Sequence, residues 1–397
     1  MERHPGKDKA ISALAATIFT TNLGGGAILP VIALYTAHLG LSIQAGGVVI
    51  ALFAVTRALA PPVAGHFIDR LDPHPFMGWG ILIFIVASAA QAVPRADVLF
   101  IGRTVQGVGT GMVTVACYTL ISRRYTRTSQ LRMANARFMV LEMVGSVLGP
   151  VVGAEVFRLT GSFAGPFIAS AIFGTVALGL YLVRRDDIGC HEPVLTPSET
   201  SHERMRFAPL GLWILVLISA MNFILMFIWG SMQFVMPFFA LSKGIGVHAV
   251  GYFFGALSFG MIFTMWLTQR ELLGRVPITP MLLGGSLISL VALTVLVQTD
   301  GFWTWLILFW ATGAGVGLVF PTLPSLAAGA IISRPGRGVG YLEMGGWAGF
   351  VLGPVVTAYL AADGNYARAF HFELVAIYLS PVLAIALGMV RRRAARA

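Results

Sequence analysis

The sequence predicts an all-α integral membrane protein, with twelve transmembrane helices arranged as two six-helix halves. Three observations carry this reading. Only 11% of the 397 residues are charged and 57% are hydrophobic, whereas an ordinary soluble domain carries about 25% charged residues. The charges are also clustered: Ala10–Thr56, Phe207–Ser242, Val276–Thr299 and Gly301–Ser333 contain no Asp, Glu, Lys or Arg, and about 20 apolar residues suffice for a helix to cross the hydrocarbon core. Finally, the second half of the chain echoes the first. So little charge leaves too little polar surface for soluble domains of this total length, which excludes a soluble enzyme or a nucleic-acid-binding protein.

Charges and Gly/Pro clusters punctuate the apolar runs into spans near residues 10–36, 44–67, 76–94, 97–121, 133–158 and 162–183, then 209–241, 247–269, 277–298, 302–332, 338–361 and 367–390. Their apolarity is continuous, without the in/out alternation of a barrel strand, so they read as helices. Loop charge orients them. With the N-terminus in the cytoplasm, twenty of the 27 Lys and Arg residues fall on the inner side, four (Arg95, Arg158, Lys243, Arg368) on the outer side, and Arg57, Arg103 and Arg137 within spans. That bias accounts for the net charge of +10 without any nucleic acid. It places the protein in the plasma membrane with both termini cytoplasmic. The longest polar segment reads as a cytoplasmic linker at 184–208, between bundles at 1–183 and 209–397. Cys117 and Cys190 form no disulfide framework or metal-ligand spacing, and Met1–Lys9 leads into an apolar run too long for a cleavable signal.

The internal echo is specific. Gly145–Val156 (GSVLGPVVGAEV) and Gly349–Leu360 (GFVLGPVVTAYL) are identical at eight of twelve positions, 204 residues apart. QGVGTG at Gln106–Gly111 is answered by TGAGVG at Thr312–Gly317, and LEM recurs at Leu141–Met143 and Leu342–Met344. Many secondary transporters are built from such repeats, with the substrate site between halves near the midplane.

Three segments resemble signatures of the major facilitator superfamily, a resemblance that covers essentially the whole chain. GHFIDRLDP (Gly65–Pro73) matches its loop signature through Gly65, Asp69 and Arg70, while Asp72, Pro73 and His74 replace the later Gly and basic residues. LFIGRTVQGVGTG (Leu99–Gly111) matches the span 4 signature through Arg103, Gln106, Gly107 and Gly109. GSVLGPVVG (Gly145–Gly153) is similar to the span 5 signature of the drug:proton antiporter branch. The resemblance implies the major facilitator fold, alternating access and commonly a monomer. It also implies that Asp69 docks against the other half in one state, and the start of span 11, near Gly336–Tyr341, is the natural partner because a helix N-terminus attracts a carboxylate. In span 5, Gly145, Gly149 and Gly153 form a smooth stripe for close helix approach, and Pro150 removes a backbone hydrogen bond. A kinked contact of this stripe with the other half would seal the outer side. Gly65, Asp69, Arg70, Gly145, Gly149, Pro150 and Gly153 are therefore the expected gating set; small-residue packing alone is the other reading of the stripe.

Ionisable groups inside spans are expensive and mark function. Glu142, about ten residues into span 5 and close to the midplane, is the expected proton carrier, with Arg103 and Glu343 as further coupling candidates. A structural ion pair of Glu142 with Arg137 or Arg103 is the alternative. Glu155 and Glu373 are expected nearer the outer boundary, within reach of headgroups or water. Asn22, Arg57, Asn222, Trp229 and Gln233 are candidates for the substrate cavity, beside Met and Phe residues suited to adaptable apolar binding. Span 1 carries no carboxylate.

There is no phosphate-binding loop, no His-Glu-x-x-His, no Gly-x-Ser-x-Gly and no paired intramembrane aspartates, so neither ATP-driven transport nor an intramembrane enzyme is expected, and no cofactor or metal. The favoured function is proton-coupled efflux of amphipathic small molecules. The alternative is a transporter of a defined metabolite such as a sugar, organic acid or amino-acid derivative. The expected partners are a small-molecule substrate, protons and the lipid bilayer.

Overall fold

The computed structural model describes residues 5–68, 72–124, 128–188, 210–269, 276–331 and 335–394. Among the described residues, fourteen helices follow in order: α1 Pro5–Ala27, α2 Leu29–His38, α3 Ile43–Ile68, α4 Pro73–Ala90, α5 Ala96–Arg124, α6 Thr128–Thr160, α7 Ala164–Ile188, α8 Gly211–Ser242, α9 Val247–Gln269, α10 Ile278–Gln298, α11 Phe302–Val319, α12 Thr322–Ala330, α13 Pro335–Leu360 and α14 Tyr366–Ala394. Twelve stretches are long and apolar enough to cross a bilayer, α1 with α2 forming the first and α11 with α12 the tenth. Both divided spans break at prolines, where the ring removes a backbone donor: Pro30 stands in the first turn of α2, and Pro321 precedes α12. α7 runs to Ile188, so residues 184–188, read from sequence as the start of the linker, are helical. The linker from 189 onward lies outside the described residues, as do Asp69 and Arg70.

The chain divides into two compact units, Met1–Leu41 with Leu52–Glu199, and Ser42–Ala51 with Thr200–Ala397. In the first, α1 packs against α6 and α7, and α4 against α5 and α7. Ile11, Leu14 and Ile18 of α1, Met77 and Ile81 of α4, Val113 and Cys117 of α5, Phe138 of α6 and Tyr181 of α7 close its core. In the second, α8 packs against α13 and α14, and α11 against α9 and α10. Leu215, Ile218 and Met221 meet Leu282, Val319, Leu342 and Leu387 there. Large apolar side chains such as Trp79, Val183, Ile307 and Val382 stay exposed, as faces turned to lipid require.

The repeat extends to individual contacts. A methyl group at Gly145 would strike the Phe19 carbonyl, and one at Gly349 the Phe223 carbonyl. Gly149 sits against Leu23, and Gly353 against Phe227. Gly26 lies on the Pro150 ring, and Gly230 on the Pro354 ring. Each pair of partners is displaced by the same 204 residues as the sequence motif. The turns after α2 and α8 repeat as well. Gly40 and Gly244 both take φ +72°, a left-handed conformation glycine adopts without steric cost. The following amides, Leu41 and Ile245, reach back to the Thr36 and Ala240 carbonyls at 3.1 and 2.9 Å.

These contacts correct one expectation. The glycine stripe of span 5 packs within its own unit: Gly145, Gly149 and Gly153 are taken up by Phe19, Leu23, Gly26 and Ala27 of α1. Only residues without a Cβ let the two backbones approach so closely.

Candidate functional site

The first unit concentrates polar chemistry within its apolar helices. Glu142 on α6 meets Arg57 on α3, with Nη2 to Oε1 at 3.5 Å, and the Tyr118 hydroxyl of α5 donates to Oε2 at 3.5 Å. Asn22 of α1 stands beside the same carboxyl, buried, with its amide nitrogen making no hydrogen bond among the described residues. The Arg57 and Glu142 side chains keep 23% and 18% of their surface exposed. The pair is thus semi-buried: desolvated enough that its charges matter, open enough for water or a ligand to reach it.

The partner differs from expectation. Glu142 pairs with Arg57, not with Arg103, and the side chain of Arg137 lies outside the described set. Along α6, Glu142 lies near the start of the apolar stretch Val140–Thr160, and its carboxyl stands beside Asn22, in the middle of the Lys9–His38 span.

Arg103 anchors a second network on α5. It is 1% exposed, and its Nη1 donates to Gln106 Oε1 at 2.9 Å. Its guanidinium lies 4.5 Å from the Phe53 ring centroid, a cation–π contact. Gln106 donates to Ser88 at 2.8 Å, and Ser170 donates to Ser88 at 3.1 Å. No carboxylate answers Arg103 among the described residues, and its Nε is buried without a hydrogen-bond partner. The Tyr35 hydroxyl reaches the Gln91 and Val93 carbonyls at 3.2 Å, tying α2 to the end of α4.

The other candidates separate by role. Asn222 of α8 is buried and commits its amide to the Leu342 carbonyl at 2.9 Å, joining α8 to α13. Gln233 is buried, and Trp229 packs its ring against Phe254. Glu343 is exposed on α13. Glu155 pairs with Arg158 at 2.7 Å on the exposed end of α6. Glu373, expected within reach of headgroups or water, is instead 1% exposed and takes a hydrogen bond from Ser231. Gly65 falls in the last turn of α3. Beyond it, the residues that depart from the loop signature serve the fold: Asp72 caps α4 by accepting from the His74 amide at 3.0 Å, Pro73 opens the helix, and the His74 ring meets the Tyr181 hydroxyl at 3.1 Å.

Sequence reasoning missed Tyr118, Ser88, Ser170 and the Ser231–Glu373 contact. Hydroxyls inside apolar helices usually bond their own backbone, as Thr17 and Thr21 do, so nothing in the linear sequence separates these from the rest.

Comparison with known proteins agrees with this picture. A relative from Staphylococcus aureus (strain MRSA252), the quinolone resistance protein NorA, is 24% identical over 89% of this chain and 90% of its own length. Multidrug resistance protein 1 of Bacillus subtilis (strain 168) is 24% identical over 75% of this chain and 68% of its own. Among solved structures, a bacterial homologue of the human lysosomal transporter Spinster superposes with a TM-score of 0.74 at 16% identity, covering 100% of this chain and 98% of that one. A peptide transporter solved with sulfate gives 0.78 at 14% identity, covering 98% and 95%. These last two share the fold. The sequence profile of the Major Facilitator Superfamily matches residues 14–332, about four-fifths of the chain, and the protein is a twelve-span member of that transporter superfamily.

Proposed function

We propose that this transporter exports amphipathic small molecules in exchange for protons, by alternating access between its two units. The observation that carries the proposal is the semi-buried Arg57–Glu142 pair with Tyr118 and Asn22 around it. An acid at that depth has two accessible states. Ionised, it is held by Arg57; protonated, it releases Arg57 and costs less to keep away from water. A carboxyl whose partner changes with its protonation is suited to coupling proton movement to a change of helix packing. The relatives named for quinolone and multidrug resistance support an efflux direction.

In this reading both termini face the cytoplasm of a bacterial plasma membrane, following the Lys/Arg bias of the loops. The transporter works as a monomer, with Arg103 as a positioning residue and Gly65, Asp69, Arg70 and the α6 stripe serving the conformational cycle. The test is Glu142→Gln in proteoliposomes with an imposed pH gradient and a fluorescent amphipathic substrate. Gradient-driven transport falls at least tenfold, about 1.4 kcal/mol in the rate-limiting step, while folding and substrate-induced thermal stabilisation persist. Undiminished gradient-driven transport in the mutant removes Glu142 from the mechanism. A thermal-shift screen of the purified wild type against drugs and metabolites decides between amphipathic substrates and a single polar metabolite.

A further inference from the structure

The second unit holds a carboxyl that the site above does not use. Glu373 lies eight residues into α14 and is 1% exposed, among Phe370, Leu374 and Ile377. Ser231 of α8 donates to its Oε1. The second oxygen, Oε2, is buried and has no hydrogen-bond partner among the described residues. Among the described residues, no basic group faces it from the helices packed around it. α8 and α10 contain no Asp, Glu, Lys, Arg or His. On α13, the backbone of Gly353 passes Ser231, so Arg337 and Glu343 lie at least ten residues away, roughly 15 Å along the axis, and Tyr341 and Tyr359 are exposed. On α14 itself, Arg368 is exposed and paired with Asp363 at 2.6 Å, His371 is exposed and bonded to the Ala367 carbonyl, Tyr366 stacks on Phe238, Tyr378 is exposed, and Arg391–Arg393 lie at the far end.

An ionised carboxylate with one hydroxyl partner, a bare oxygen and no cation is among the most costly groups to bury. A hard metal ion does not resolve the cost, because such ions collect about six oxygens or more, whereas the side chains of this pair supply three, and no group of His, Cys, Asp or Glu able to hold a metal occurs among the described residues. A proton resolves it with one bond. An ionisable group buried in a spanning helix marks function by default, and the chemistry this one offers is that of its proton. Both helices also carry an internal proline, Pro237 six residues beyond Ser231 on α8 and Pro381 eight residues beyond Glu373 on α14, and prolines are where helices bend.

We propose that Glu373 and Ser231 form a second proton-binding site, in which Glu373 holds a proton while α8 and α14 are closed around it and yields it when they part. In the release step the O–H bond of the acid breaks, its electron pair stays on the carboxylate, and water admitted to the opened contact takes the proton. Ser231 continues to donate to Oε1. The role of this site in transport rests on the proton-linked function proposed above; its occupancy by a proton does not.

Infrared spectroscopy of the full-length protein in lipid nanodiscs tests the site directly. The wild type is expected to show a protonated-carboxyl carbonyl band that is lost in Glu373→Gln, retained in Glu142→Gln, displaced in Ser231→Ala and slowly exchanged in deuterium oxide. The same band undiminished in Glu373→Gln, or one in the wild type that never exchanges even during turnover, overturns the proposal. Should Glu373→Gln not fold, Ser231→Ala decides: an unshifted band overturns the site. In proteoliposomes, Glu373→Gln is expected to lose gradient-driven transport at least tenfold while retaining substrate exchange without a gradient, and wild-type driven transport in it overturns the role in the cycle. If the wild type itself ignores a pH gradient, the proposed proton-linked function fails, and the carbonyl band still decides whether Glu373 holds an exchangeable proton.

Discussion

The two units share a packing scheme and differ in chemistry. α1 meets α6 through Phe19, Leu23 and Gly26 on one side and Gly145, Gly149 and Pro150 on the other. α8 meets α13 through Phe223, Phe227 and Gly230 against Gly349, Gly353 and Pro354, each 204 residues later. Gly107 packs on the Phe53 carbonyl as Gly313 packs on the Leu257 carbonyl. Carried along the same registers, however, the charged groups vanish and the buried glutamine shortens to threonine. Glu142 corresponds to Gly346, Arg57 to Met261, Arg103 to Phe309 and Gln106 to Thr312. Where the first unit buries a guanidinium over one ring, the second stacks Phe309 on Phe253 with ring centroids 5.4 Å apart. Duplicated backbone contacts therefore supply equivalent rigid bundles, and the ionisable groups mark where the bundles were given different tasks.

The largest expected effect tests the shared part. Gly149→Val and Gly353→Val each place a branched side chain where a single Cβ already comes within 2.7 Å of the Gly26 Cα or strikes the Phe227 carbonyl. Overpacking of this kind costs about 1–3 kcal/mol where neighbours can move, and more here because the obstacle is backbone. Both variants are expected to lose most folded, monodisperse protein in size-exclusion chromatography, and to similar degrees. A tolerated Gly353→Val beside a lethal Gly149→Val would break the equivalence of the two units.

This also shows what was legible from sequence. The spans and the repeat are local properties: runs of apolar residues and glycines at every fourth position dictate helices and a close-packing face whatever surrounds them. What that face touches is not local, so the stripe expected against the other half packs on α1. The LEM echo lies off the packing register: it recurs 201 residues on, three short of 204, so Glu142 corresponds to Gly346 and Glu343 stands about one turn earlier. Glu343 is exposed while Glu142 is semi-buried. Likewise, the choice of Arg57 over Arg103 as the partner of Glu142 depends on how α3 lies along α6, and the burial of Glu373 on how α14 closes against α8. Neither follows from any spacing in the sequence.

A smaller effect tests the divergent part. Arg103→Met makes the first unit resemble the second at this position. Exchanging a buried charge for an apolar side chain of similar length is often neutral or stabilising, and Gln106 keeps its bonds to Ser88 and Gln91. The melting temperature is therefore expected to hold or rise while gradient-driven transport falls about tenfold. A variant that melts earlier yet transports normally would make Arg103 a structural residue and the asymmetry incidental.

The smallest effect separates two asparagines that sequence alone treats alike. Asn222 spends its amide on the Leu342 carbonyl inside the α8–α13 contact, and truncation leaves that carbonyl buried without its side-chain partner, at about 1–2 kcal/mol. Asn222→Ala should accordingly lower the thermal midpoint by a few degrees and slow transport only in proportion to the folded fraction. Asn22 places its amide nitrogen beside the Glu142 carboxyl, with no hydrogen bond within normal geometry among the described residues, so Asn22→Ala removes a poorly satisfied buried donor and should leave the midpoint nearly unchanged. Its effect belongs in transport, because the group next to the Arg57–Glu142 pair is then missing when that pair opens. Were the two variants to exchange these phenotypes, the structural role of Asn222 and the charge-handling role of Asn22 would be reversed, since both side chains are buried and differ in what surrounds them.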